Sequence, residues 1–163
     1  MNQFTCVNFD EKFRKSLVKL YKEIWKEPPW CEYFWTDKMV NEDIDYALSQ
    51  KDFIGKLAVN SNNVKGFTWG YLLPKEKFQF LDLKEAIYID ELAVEKNHRK
   101  KGIGSNLTNM LVNDARKLGY KIATLRTDIN GGAYKFYLDL GFDDIRVKDP
   151  QYPERTYMRK IIY

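Results

Sequence analysis

The chain has 163 residues, 44% of them hydrophobic and 31% charged, with a formal net charge of +4. These values fit one globular domain over residues 1–163 with a sizeable core, and they exclude a disordered or membrane-spanning composition. The positive balance suits a polyanionic small ligand and is too small to argue for nucleic acid. Cys6 and Cys31 lack metal-ligand spacing and suit a reduced, cytoplasmic setting. With His98 as the single histidine, a multi-histidine metal site is excluded and no metal is expected. The N-terminus shows no basic-then-apolar signal, and no apolar run is long enough to cross a membrane.

In chain order, Gln3 to Asn8 reads as a strand, and Asp10 is placed to cap the helix that follows. From Glu11 to Lys26, the residues Phe13, Leu17, Leu20, Tyr21 and Ile24 line one face of an amphipathic helix, which Pro28-Pro29 stops. The segment Trp25 to Trp35 gathers three tryptophans, Tyr33 and Phe34, either as a packing cluster or as a pocket wall. A second helix runs from Thr36 to about Gln50. Asp52–Val59 and Val64–Leu73 read as strands joined by an Asn60–Asn63 turn, and Pro74–Lys84 as a charged loop.

The stretch Ala86 to Ser105 is the most informative. Ala86–Val94 has the β-branched and aromatic content of a strand, and Arg99–Ser105 is a basic turn carrying Gly102 and Gly104. From Ile103 the spacing becomes helical, with Ile103, Leu107, Met110, Leu111, Ala115 and Leu118 on one face, closed by Gly119. Strand, glycine turn and helix N-terminus in that order present free backbone N–H groups to an anion. The two glycines are expected to take unusual dihedrals and let a ligand approach closely. A phosphorylated cofactor is therefore expected here. Lys121–Asp128 follows as a strand, with Ile122, Thr124 and Arg126 alternating against Ala123, Leu125 and Thr127. Gly132–Leu140 reads as a short helix ended by Gly141, and Phe142–Lys148 and Thr156–Ile162 as closing strands. The order describes one α/β sheet of about seven strands with helices on both faces.

Two motifs carry a family resemblance. Arg99-Lys100-Lys101-Gly102-Ile103-Gly104 resembles the Arg/Gln-x-x-Gly-x-Gly/Ala motif of the GNAT N-acetyltransferase superfamily, and Leu92-Ala93-Val94 resembles its cofactor strand. Asn130 through Phe142 is similar to that family's Asn-x-x-Ala-x-x-Phe/Leu-Tyr-x-x-x-Gly-Phe segment. The resemblance is firm from Ala86 to Phe142 and rests on element order before that. It implies a mixed-sheet GNAT fold and acetyl-CoA as co-substrate. Leu92, Ala93 and Val94 would bind the pantetheine by their backbone, in a gap between the Ala86 and Lys121 strands. Arg99, Lys100, Lys101, Gly102, Ile103, Gly104 and Ser105 would hold the pyrophosphate, and Asn130 and Ala133 would contact the cofactor arm. Tyr137 would line the cofactor and protonate the departing thiolate.

For the base, Glu91 is favoured and Asp90 is the alternative. Strand alternation is expected to send the two carboxylates to opposite faces, so that at most one faces the site. Some protein N-terminal acetyltransferases carry a glutamate five positions before the asparagine, where this chain has Leu125, which weakens that reading. The favoured acceptor is a primary amine of a small molecule, in particular a polycation such as an aminoglycoside or polyamine. Glu27, Glu32, Asp37, Glu42, Asp43 and Asp45 would attract it, although a solvated helix face explains those acids as well. A protein amine and a non-catalytic CoA-binding module are the competing readings. No nucleic acid or membrane is expected as a partner, and a homodimer is compatible with the chain.

Overall fold

A computed structural model describes residues 3–163. The elements are β1 (Thr5–Asn8), α1 (Arg14–Trp25), α2 (Asp37–Ser49), β2 (Ile54–Asn60), β3 (Asn63–Leu72), β4 (Ala86–Val94), α3 (Ile103–Lys117), β5 (Ile122–Asp128), α4 (Gly132–Asp139), β6 (Asp143–Lys148) and β7 (Arg155–Ile161). They form one seven-stranded sheet in the order β1-β2-β3-β4-β5-β7-β6. Each pair is antiparallel except β4 with β5, which run parallel and are joined by the crossover through α3.

The caps fall close to where the sequence puts them. The Asp10 carboxylate accepts from the Lys12 N–H at 2.9 Å, but the first turn it starts, Glu11–Phe13, is a 3-10 turn and α1 proper begins at Arg14. Thr36 caps α2 by accepting from the Met39 N–H at 3.2 Å. Gly119 and Gly141 close α3 and α4 at φ +93 and +87, in the left-handed region that glycine enters without strain.

The helices divide between the two faces. α1 and α2 cover the side that carries Leu57, Phe67, Trp69, Tyr71, Ala86 and Tyr88. α3 and α4 cover the side of Ile87, Ile89, Ala123 and Leu125. The Tyr21 ring of α1 stacks on Phe67 and Trp69 at centroid distances of 5.9 and 6.2 Å. The Trp25–Trp35 segment splits accordingly. Trp25 and Trp35 pack around Tyr21, whereas Trp30, Tyr33 and Phe34 are exposed. On α3 the buried face is Ile103, Leu107, Thr108, Leu111, Val112 and Ala115. Leu118 is 56% exposed, a correction to the expected face, because the chain leaves the helix there toward Gly119.

One irregularity sets the shape of the centre. In the β3–β4 ladder Trp69 pairs with Glu91 and Gly70 pairs with Ile89, so Asp90 is an extra residue bulged out of β4. Across from it stands Gly70. A Cβ there would meet the Tyr88 carbonyl oxygen at 2.6 Å, a contact with backbone that cannot give way. Gly70→Ala is therefore expected to destabilise the fold by about 1–3 kcal/mol, as overpacking does. That is a fall in Tm of roughly 2–4 °C per kcal/mol for a chain of this size, read by thermal unfolding. An unchanged Tm would show that the bulge does not depend on a bare backbone at this position.

Candidate active site

The bulge falls where the sheet opens. β4 and β5 pair only from Ala86/Ile122 to Ile89/Leu125, and beyond that point β4 has no strand on its β5 side. The Glu95 N–H donates to the Lys65 carbonyl at 2.8 Å, which fixes odd-numbered residues of this stretch toward β3. Leu92 and Val94 therefore turn their backbone groups into the gap. Among these groups the Val94 carbonyl accepts from Arg99 Nε at 2.8 Å. The remainder form a row of free donors and acceptors, which buried backbone requires a partner to satisfy.

At the end of this edge lies the glycine turn. Lys100 has φ +59 and Gly102 φ +82, after which α3 starts with Asn106 N–H bonding to the Gly102 carbonyl at 3.0 Å. The N–H groups of Ile103, Gly104 and Ser105 thus precede the first helical bond and carry the positive end of a 15-residue helix. Gly104 differs from expectation. It is an ordinary helical residue, and a Cβ there would touch the Phe136 ring at 3.4 Å, so its role is close packing rather than an unusual dihedral. A Cβ on Gly102 would meet nothing within 4 Å, leaving open space above the turn. Lys100 and Lys101 are exposed. Arg99 is held sideways, its guanidinium bridging the Val94 carbonyl and Glu27 at 2.7 Å, which ties the α1–α2 connection to the turn.

The two carboxylates contradict the alternation argument. Before the bulge Ala86 and Tyr88 lie on the α1/α2 face and Ile87 and Ile89 on the α3/α4 face. After it, Ala93 lies on the α1/α2 face and Leu92 and Val94 pack toward α3. The extra residue shifts the phase by one, so Asp90 and Glu91 share the α1/α2 face. Asp90 accepts from Trp69 Nε1 at 3.3 Å, and the Tyr71 hydroxyl also bonds to it. The Tyr21 hydroxyl donates to Asp43 of α2 at 2.6 Å and stands beside Glu91. Three carboxylates thus meet under three aromatic donors.

Their protonation follows. Burial, then the charges of Asp90 and Asp43, push Glu91 well above the usual glutamate range. Burial also raises Asp90, but the bonds from Trp69 and Tyr71 and the nearby Lys77 oppose the shift. Both carboxyls are raised, so the pair titrates as a unit and holds on to a proton at higher pH than free carboxylates would. Tyr137 stands across the gap on α4, buried against Phe136 and Phe142. Burial and then the charge of Glu91 raise its pKa, so the phenol stays protonated and able to donate. Asn130 and Ala133 are exposed at the head of α4, directly after β5.

On the α1/α2 face of the sheet a cleft of about 410 Å³ opens beside Asp90. Its far wall holds Arg126, Asp149 and Tyr157, to which the sequence pattern assigned no role. Arg126 pairs with Asp149 at 2.8 Å, and the Tyr157 hydroxyl donates to the same carboxylate at 2.8 Å. Burial works against the Asp149 charge, but these bonds and the N–H groups of Tyr152 and Gln151 hold it well below the carboxylate range. The acids of the α1–α2 region are mostly spent elsewhere. Glu27 pairs with Arg99, Glu32 accepts from Trp35, Asp37 pairs with Lys22, Glu42 with Lys38 and Asp45 with Arg14. Asp43 alone of the six reaches the carboxylate cluster.

A parted parallel pair with a helix N-terminus at the end of the open edge is suited to a phosphate-bearing carrier. The sequence pattern of the acetyltransferase (GNAT) family matches residues 17–142, and the chain belongs to that family. Its members are acyltransferases that use acetyl-CoA. An uncharacterized N-acetyltransferase of Methanocaldococcus jannaschii is 35% identical over 143 residues, which is 86% of this chain and 57% of that protein. The chain spans about half the length of the curated relatives it matches. Among solved structures, an aminoglycoside 6'-acetyltransferase type Ii superposes with a TM-score of 0.75 at 22% identity, covering 98% of this chain and 97% of that one. The PaiA N-acetyltransferase of Thermoplasma acidophilum, in complex with coenzyme A, superposes with 0.74 at 15% identity over 98% and 99% of the chains. At these identities the likeness shows the fold. Among the described residues no helix is long and apolar enough to cross a membrane.

Two outcomes test this geometry. Gly102→Ala is expected to weaken acetyl-CoA binding tenfold or more by calorimetry. The methyl meets no protein atom, and left-handed strain costs only about 1–2 kcal/mol. Unchanged affinity would place the phosphates elsewhere. Glu91→Gln tests the raised carboxyl. Below the ordinary glutamate pKa the group is protonated folded or unfolded and costs nothing, whereas above its raised folded pKa its buried charge opposes folding. The variant should therefore raise Tm at pH 8 and change it little at pH 4; equal shifts at both would refute a titrating Glu91.

Proposed function

We propose that this protein is an acetyl-CoA-dependent N-acetyltransferase that acetylates a primary amine of a small molecule. The observation that carries the reading is the single-residue bulge at Asp90, which brings two carboxylates to the place where β4 leaves β5. Acetyl-CoA supplies an activated acyl thioester. The free backbone groups of Leu92 and Val94 would hold the pantetheine arm, and the N–H groups of Ile103, Gly104 and Ser105 the pyrophosphate. An N–H near Leu92 is suited to polarise the thioester carbonyl. Asn130 and Ala133 would line the arm from α4.

In the transfer one C–N bond forms and one C–S bond breaks, and one proton leaves nitrogen while one reaches sulfur. Asp90 rather than Glu91 is the proposed acceptor of the amine proton, because it lines the cleft and its carboxylate is oriented there by the Trp69 indole N–H. A proton held by the Asp90–Glu91 pair would keep a second negative charge out of the site. Tyr137 is the proposed donor to the leaving sulfur. A small-molecule acceptor is compatible with the cleft beside Asp90, and Leu125, fully buried under α4, offers no acid in β5.

Kinetics separate these roles. Because Asp90 is raised, kcat/KM should rise with pH through a pKa above the usual aspartate range and then level off. Asp90→Asn should remove that limb and lower the rate by roughly 10²–10⁴-fold, as loss of a general base does. Tyr137→Phe should lower kcat by roughly ten- to a thousand-fold with little change in Tm or in acetyl-CoA affinity. An Asp90→Asn enzyme with the parent pH profile would return the role to Glu91 or to water.

A further inference from the structure

The cleft beside Asp90 has a definite chemistry. Five aromatic rings, from Tyr71, Phe78, Phe80, Tyr88 and Tyr157, line it as a connected wall. Phe78 lies 4.9 Å from Tyr88 and 5.9 Å from Tyr157, centroid to centroid, and Phe80 lies 5.4 Å from Tyr157. The rings come from four separate parts of the chain, β3, the β3–β4 connection, β4 and β7, so their convergence is a product of the fold. Large aromatic faces gathered around one carboxylate favour a cation on a flat apolar body.

The charges in the same cleft limit that cation to one. Arg126 is already neutralised by Asp149. Lys77 stands at the mouth, with its ammonium 4.3 Å from the Tyr46 ring centroid, and it faces Asp90. Asp90 and Asp149 are thus balanced by Lys77 and Arg126, and a second ammonium on the acceptor would meet cations instead of free carboxylates. Of the acids that would draw in a polycation, Glu27, Asp37, Glu42 and Asp45 are paired with lysines or arginines, and Asp43 accepts from the Tyr21 hydroxyl.

Resting on the acetyltransferase reading, we propose that the acceptor is an aromatic monoamine: a primary amine joined by a short linker to a planar ring, with no second positive charge. The ring lies against Phe78 and Phe80, which cover the buried Tyr157, and the amine reaches Asp90 at the sheet opening.

The test is a coenzyme A release assay with acetyl-CoA and five acceptors: 2-phenylethylamine, tryptamine, spermidine, kanamycin and a short peptide with a free N-terminus and a lysine. The expected result is a kcat/KM at least tenfold higher for the two aromatic monoamines. Phe78→Ala should then raise KM for tryptamine tenfold or more, with kcat and acetyl-CoA affinity nearly unchanged, which general damage to the fold would not produce. Preference for spermidine, kanamycin or the peptide would overturn this inference and leave the acetyltransferase reading standing. Equal KM for tryptamine in parent and Phe78→Ala would also overturn it. Failure with all five acceptors would count against both.

Discussion

The arrangement depends on β4 being in register with two neighbours that it cannot follow together. It pairs with β3 along its whole length but with β5 only as far as Ile89, and the added residue at Asp90 accommodates the change. A bulge twists and bends its strand, and here the bend carries the second half of β4 away from β5. An interior sheet edge results, with backbone groups at Leu92 and Val94 that a ligand can pair. Because β4 runs on through a short connection into α3, the same bend aims the helix N-terminus along that edge. Cofactor arm and phosphate site are thus consequences of one backbone irregularity.

The same irregularity creates the electrostatic cost of the site. Two adjacent side chains that regular pleating would separate are placed together, and Asp43 joins them from α2. Such a cluster stands only because Trp69, Tyr71 and Tyr21 direct polar hydrogens at it and because one member retains a proton. Local destabilisation of this kind is characteristic of functional positions. The aromatic core under α1 and α2 supplies compensation, with Tyr21, Phe67 and Trp69 stacked beneath the cluster. On the other wall the Arg126–Asp149–Tyr157 group fixes the β6–β7 connection by charge-assisted bonds.

Much of this was legible in the sequence. The seven strands, the four helices and their caps follow from periodicity and from Asp10, Thr36, Gly119 and Gly141, and element ends moved by a residue or a few. The glycine turn and the α4 segment were legible because local backbone chemistry determines them. What failed was long-range. Leu118 belongs to the helical stripe by spacing yet lies beyond the last packed turn. The phase of Asp90 and Glu91 cannot be read from alternation, since the bulge depends on β3. Gly70 within a strand was the available signal, because glycine in a strand interior often marks such a site. The acids of the α1–α2 region looked like an attractor because partners such as Lys22, Arg14 and Arg99 come from other elements.

The central claim is that the open edge of β4 and the start of α3 act as one binding surface. Amide hydrogen exchange followed residue by residue by NMR, with and without coenzyme A, tests it most directly. The account predicts that the ligand slows exchange at Leu92 and Val94 together with Ile103, Gly104 and Ser105, while strands β1 and β2 exchange as before. Protection confined to other segments, or protection of the α3 amides with Leu92 and Val94 unchanged, would contradict it.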